Sequence, residues 1–126
     1  MKHSGYKKYK NAITKVMGRE FPSRHEAERY IVLWNLQLQG DIESLECQKR
    51  FTLIPAQYEP DTVDAKGKPK KGKLIEREIT YIADFCYYDV HLKRFVVEDA
   101  KGYRTPEYVM KRKMMLYFHG IKIKEV

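Results

Sequence analysis

Between residues 78 and 104 the chain reads EITYIADFCYYDVHLKRFVVEDAKGYR. Two β-prone runs, residues 79–88 and 94–100, flank a short polar turn over 89–93, and this predicts an antiparallel hairpin. Into that hairpin the chain places three groups that core strands normally avoid: Asp84, Asp99 and Lys101. Strand side chains alternate faces, so Asp99 and Lys101 share a face at a spacing of roughly 7 Å. Asp84 joins them if the register of the neighbouring strand brings it there. Two carboxylates and an ammonium on one patch of sheet cost desolvation energy unless they bind something, typically a divalent cation.

A chain of 126 residues supports one domain with a core of its own. Its net charge of +8 favours polyanionic partners through long-range attraction and counterion release, without saying which polyanion. Cys47 and Cys86 stand far apart with no C-x-x-C, which argues against a zinc motif or a disulfide framework and for reduced, buried thiols. His3, His25, His91 and His119 have no ligand spacing either, so zinc- or histidine-based chemistry is disfavoured. No leader pattern is present and no apolar run approaches the ~18 residues that span a bilayer. The expectation is a soluble cytoplasmic protein with no membrane partner.

In chain order, residues 1–20 read as a basic arm. Lys2, Lys7, Lys8 and Lys10 surround Tyr6 and Tyr9, which suits either a frayed tail or an arm that tracks nucleic acid. The domain proper is expected over residues 21–126. Ser23 is a natural N-cap, and Glu26 three residues on completes a capping box. An apolar stripe of Ala27, Tyr30, Ile31, Trp34 and Leu38 follows, closed by Gly40. Glu26 has two readings, a capping glutamate worth about 1 kcal/mol or an acid presented to a site. Glu28 flanks the stripe almost symmetrically, so local pattern leaves the choice open.

Residues 42–54 alternate as a strand, with Gln48 a minor site candidate. Residues 56–73, rich in proline, glycine and lysine, read as a flexible Lys-rich loop or a long hairpin tip, with Lys66, Lys68, Lys70 and Lys71 offered to phosphates. Thr105, Pro106 and Glu107 mark a second helix start. That helix is expected to run to about Phe118, burying Val109 and Leu116 and exposing Lys111, Arg112 and Lys113. Residues 121–124 then alternate as an edge strand. The fold class is α/β in the α+β sense, a central mixed β-sheet flanked by helices in the order α-β-β-β-α-β.

The arrangement D-(x)n-D-x-K, built from Asp84, Asp99 and Lys101, resembles the PD-(D/E)XK nuclease superfamily, here without the literal Pro-Asp. A closer likeness is to a DUF1064-like family of small uncharacterised phage proteins. It rests on Ser-x-x-Glu-Ala-x-x-Tyr at Ser23 to Tyr30, on Tyr81-Ile82-Ala83-Asp84-Phe85, and on Val97-Glu98-Asp99-Ala100-Lys101-Gly102. Leu45-Glu46-Cys47-Gln48-Lys49-Arg50-Phe51 adds a fourth piece, and the resemblance extends from about Phe21 to Val126.

The resemblance implies a restriction-endonuclease-like core and a Mg²⁺-dependent endonuclease, with Mn²⁺ able to substitute. The substrate would be DNA, with RNA left open, cut with low sequence specificity or at structures such as Holliday junctions. It assigns metal binding to Asp84, Asp99 and the carbonyl of Ala100, and water activation to Lys101. It selects Glu26 over Glu28 as the helix-borne acid, through the Ser-x-x-Glu-Ala pattern. Lys111 and Arg112 would lend basic groups from the second helix, and Glu98, on the opposite strand face, would partner a basic residue. A homodimer cutting two strands and a phage-infected host cytoplasm complete the expectation. The alternative from another class is a non-catalytic basic nucleic-acid-binding module whose acids are structural.

Overall fold

The computed structural model describes residues 14–100 and 103–126. Residues 1–13, the greater part of the expected basic arm, lie outside the described residues, as does Lys101. Residues 14–21 belong to the folded body. β1 (Thr14–Val16) and β2 (Arg19–Phe21) pair antiparallel with Thr14 opposite Phe21. The turn between them needs two left-handed residues, Met17 (φ 53°) and Gly18 (φ 78°), the geometry of a tight hairpin. The arm reading thus ends earlier than residue 20, because this hairpin is too short to carry a legible alternation.

A helix over Arg24–Leu38 follows, capped by Ser23, whose Oγ accepts from the backbone N–H of Glu26 at 3.1 Å. The buried stripe is Ala27, Tyr30 and Leu33. Ile31 and Leu38, expected inside, are 43% and 70% exposed. The helix carries apolar residues on more than one side, and only the side facing the sheet is covered.

β3 (Ile42–Ile54), β8 (Ile79–Asp89) and β9 (Arg94–Asp99) form an antiparallel meander. β10 (Lys124–Glu125) adds to β9 in parallel, giving a mixed sheet of order β10-β9-β8-β3. The turn from β8 to β9 is held by Asp89, whose Oδ1 accepts from the N–H groups of His91 and Leu92. Between β9 and β10 lies the second helix, Pro106–His119, capped by Thr105 and ended by Gly120 in the left-handed conformation. It buries Tyr108 and Met115, while Leu116, expected inside, is exposed.

Between β3 and β8 the chain leaves the sheet as a ribbon. β4 (Gln57–Tyr58) pairs with β7 (Leu74–Glu76), and nested beyond them β5 (Thr62–Val63) pairs with β6 (Pro69–Lys70). Of the two sequence readings for residues 56–73, the structure takes the long hairpin.

Two hydrophobic cores result. One gathers Phe21, Ala27, Tyr30, Leu33, Ile42, Phe85 and Tyr87 against the Ser23-capped helix. The other gathers Leu53, Tyr81, Ala83, Cys86, Val97, Tyr108, Met115 and Ile123 against the Thr105-capped helix. Phe85 is fully buried, and truncating such a side chain costs about 3–5 kcal/mol. Tyr81, Ala83, Phe85 and Tyr87 share parity along β8, yet the first two serve one core and the last two the other. Before Asp84 the strand serves the second core alone, and beyond it both, since Cys86 belongs with Tyr81 and Ala83. The mixed α+β fold, a central sheet with two helices in the order α-β-β-β-α-β, is as the sequence indicated, with one hairpin placed before it and one ribbon inserted.

Candidate active site at the turn of the sheet

Cys47 and Lys49 of β3 pair with Phe85 and Ala83 of β8, which sets Gln48 opposite Asp84. Gln48 has a left-handed backbone, φ 57°, a conformation that non-glycine residues adopt in strained, over-determined places, commonly functional sites. Its side-chain amide reaches two carboxylates. Nε2 donates to Glu26 Oε2 at 3.1 Å and to Asp84 Oδ1 at 3.5 Å.

Glu26 is only 4% exposed, whereas Glu28 is exposed. Of the two helix acids, the structure therefore turns Glu26 toward Gln48 and Asp84. The Ser23 hydroxyl caps the helix through the Glu26 backbone, so cap and acid are carried by different parts of the same residue.

On the other flank of β8, Phe85 pairs with Glu98, so continuing that register sets Asp84 against Asp99. The Ala100 N–H donates to Asp84 Oδ2 at 2.9 Å. Asp99 is 1% exposed and its Oδ2 accepts from the Tyr81 hydroxyl. Burial, then the bond to Asp99, pushes the Tyr81 phenol well above its ordinary value, so Tyr81 is a fixed donor. The structure thus brings together Glu26, Gln48, Asp84, Asp99 and the backbone of Ala100.

Glu98, the neighbour of Asp99, turns the other way. It is fully buried, is gripped by Arg29 Nε at 2.8 Å and Nη2 at 2.6 Å, and accepts from the Tyr87 hydroxyl. This is a fork-type pair that holds helix to sheet, and it gives Glu98 the basic partner that strand alternation demanded.

The expected nucleic-acid contacts divide. Lys66, Lys68, Lys70 and Lys71 lie exposed on the ribbon. Lys111 is engaged with Glu107 at 3.0 Å, and Arg112 with Glu125 at 3.0 Å. Glu125 also accepts from Arg104 at 2.7 Å and from the Tyr108 hydroxyl at 2.7 Å, and these donors hold its carboxyl down at about 2. Lys111 and Arg112 are thus both engaged in ion pairs on this side of the molecule. Among the described residues the histidines have structural partners: His25 meets the Val126 carbonyl, His119 the Thr52 carbonyl and His91 the Asp41 carboxylate.

Among the described residues no three His, Cys, Asp or Glu side chains gather closely enough to hold a metal ion by themselves. The ligand atoms that converge are carboxylate oxygens, steadied by the Ala100 N–H and the Gln48 amide, and they suit a hard cation that keeps several waters and binds through one or two carboxylates. They fit Mg²⁺ and do not fit a thiolate or imidazole site. Tyr81 and Arg29 carried no sequence signal of their own roles, and Gln48 only a faint one, a polar residue in mid-strand.

No curated protein and no solved structure matches this chain. A family model matches residues 6–125, and the chain belongs to the family described as Protein of unknown function (DUF1064).

Proposed function

We propose that this chain is a metal-dependent endonuclease of the PD-(D/E)XK type, of phage origin, that hydrolyses DNA phosphodiester bonds in the host-cell cytoplasm. The observation that carries the reading is the convergence of Glu26, Gln48 and Asp84 beside the Ala100 backbone and Asp99. Buried acids that repel phosphates are of no use to a protein that only binds nucleic acid.

Asp84, Asp99 and the Ala100 carbonyl would hold Mg²⁺, or Mn²⁺ in its place, which neutralises phosphate charge and acidifies a bound water. The chain's own groups do the rest. Tyr81 fixes Asp99 through its hydroxyl, and Ala100 fixes Asp84 through its N–H. Gln48 ties Asp84 to Glu26, so that the helix-borne acid and the strand acid keep one spacing. Lys101, two residues beyond Asp99, is assigned to orient the attacking water and stabilise charge on the phosphate. A homodimer would place two such sites on the two strands of one duplex.

The test is digestion of supercoiled plasmid, single-stranded DNA and a four-way junction in Mg²⁺ or Mn²⁺, with Asp99→Ala and Lys101→Ala beside the natural protein. Cleavage abolished by EDTA and by both substitutions is the expected result. Survival of every substrate while gel shifts persist sinks the nuclease and leaves a basic binding module.

A further inference from the structure

The ribbon between β3 and β8 is built as an object separate from the two cores. Its strands pair with each other: Gln57 with Glu76, Tyr58 with Leu74, Thr62 with Lys70 and Val63 with Pro69. Its two tip carboxylates are occupied by backbone donors. Asp64 Oδ1 accepts from the N–H groups of Lys66 at 2.8 Å and Lys68 at 2.9 Å, and Asp61 Oδ1 from that of Gly72 at 2.9 Å. Gly67 turns the chain at φ 80°. At Gly72 the two sides approach so closely that a Cβ would stand 1.7 Å from the Glu59 carbonyl oxygen. The shape is therefore specified by Asp61, Asp64, Gly67 and Gly72.

That construction leaves Lys66, Lys68, Lys70 and Lys71 exposed and, among the described residues, without an ion pair, while Lys111 and Arg112 are already paired. Strand backbones lie about 4.8 Å apart, and the major groove of B-DNA, about 12 Å wide, admits a two-stranded ribbon with its side chains. The A-form RNA groove is too deep and narrow for such a probe. The ribbon springs from the ends of β3 and β8, the strands that carry Gln48 and Asp84. From Ile79, where the ribbon rejoins the sheet, to Asp84 is about 17 Å at about 3.3 Å per residue, so the ribbon rises from the strand that carries the site.

We infer that this ribbon is a groove probe that makes B-form duplex DNA the substrate, held by lysine–phosphate contacts at the groove edges. The inference rests on the nucleic-acid reading of the site and assigns its substrate class.

The experiment measures binding by fluorescence anisotropy of the full chain in EDTA, across a salt series, to a DNA duplex, the same duplex as RNA, and single-stranded DNA. The natural protein binds duplex DNA at least tenfold tighter than either competitor. In the Lys66→Gln, Lys68→Gln, Lys70→Gln, Lys71→Gln variant the slope of log K against log salt flattens by about 0.9 for each phosphate no longer neutralised. Gly72→Ala keeps every lysine but displaces the ribbon, and it erases the duplex preference while thermal melting of the cores is unchanged. Equal binding to single strands or to RNA, or a Gly72→Ala protein that still prefers duplex DNA, overturns the inference. Binding that depends on the ribbon, with no cleavage in Mg²⁺ or Mn²⁺, supports the probe and defeats the nuclease, so the two failures are distinguishable.

Discussion

Gln48 Nε2 stands 3.1 Å from Glu26 Oε2, tying the middle of a strand to the first turn of a helix 22 residues earlier. The bond matters because Glu26 is buried and a buried carboxylate short of a donor costs about 1–3 kcal/mol. Gln48→Ala is expected to destabilise by that amount and, on the nuclease proposed above, to lower cleavage about 10–100-fold, as removing a support of a metal-site ligand does. Gln48→Asn retains a residue tolerant of the left-handed backbone but is too short to bridge, so it is expected to lose the proposed activity with a smaller loss of stability. Urea midpoints and plasmid nicking rates measure both, and a Gln48→Ala protein that cuts at the natural rate would falsify the role of the bridge.

Arg29 and Glu98 form a buried pair whose acid has no exposure at all. Leaving one charge of such a pair behind costs about 3–5 kcal/mol, whereas replacing both is often neutral. Arg29→Met is therefore expected to lower the denaturation midpoint sharply, and Arg29→Met with Glu98→Gln to recover most of the loss. If the double variant is no better than the single one, Glu98 is held mainly by Tyr87.

The Glu125 carboxyl, held at about 2 by Arg104, Tyr108 and Arg112 against an ordinary 4.5, contributes stability that is complete above pH 4.5. It is lost as the pH falls from there toward 2. Thermal melts between pH 6 and 2.5 should fall more steeply for the natural protein than for Glu125→Gln. Parallel curves for the two would mean that this cluster contributes nothing.

Burial pushes the Cys86 thiol up to about 12, and burial raises Cys47 as well. Neither should be appreciably thiolate at pH 8. Alkylation of the native protein is expected to be slow at both and to become fast in denaturant. Rapid labelling of either in the folded protein contradicts this.

Much of the frame was legible from sequence because the cues were local. The strand over Ile42–Ile54 and the hairpin of β8 and β9 carry dense β-formers between polar turns, and Ser23, Thr105 and Gly120 punctuate the helices within a residue or two. The acids Asp84 and Asp99 stood out because apolar strands rarely hold them. What escaped was set by partners remote in sequence. Ile31, Leu38 and Leu116 fit an apolar stripe, but the sheet covers only one side of each helix. The left-handed backbone of Gln48 has no residue-type signal, and the choice of Glu26 over Glu28 depends on where β3 lies. The β1–β2 hairpin is three residues a side, too short for period-two patterning.

Asp84 lies on β8, the strand that both cores share, with Glu26 on the helix of the first core and Asp99 bonded to Tyr81 of the second. The distance between the outer acids is thus a property of how the two cores pack on one shared sheet, and no single element sets it. A lineage of such chains can drift in either core only so far as the other drifts with it. The self-paired ribbon contributes to neither core, and can lengthen, shorten or be exchanged without moving those acids.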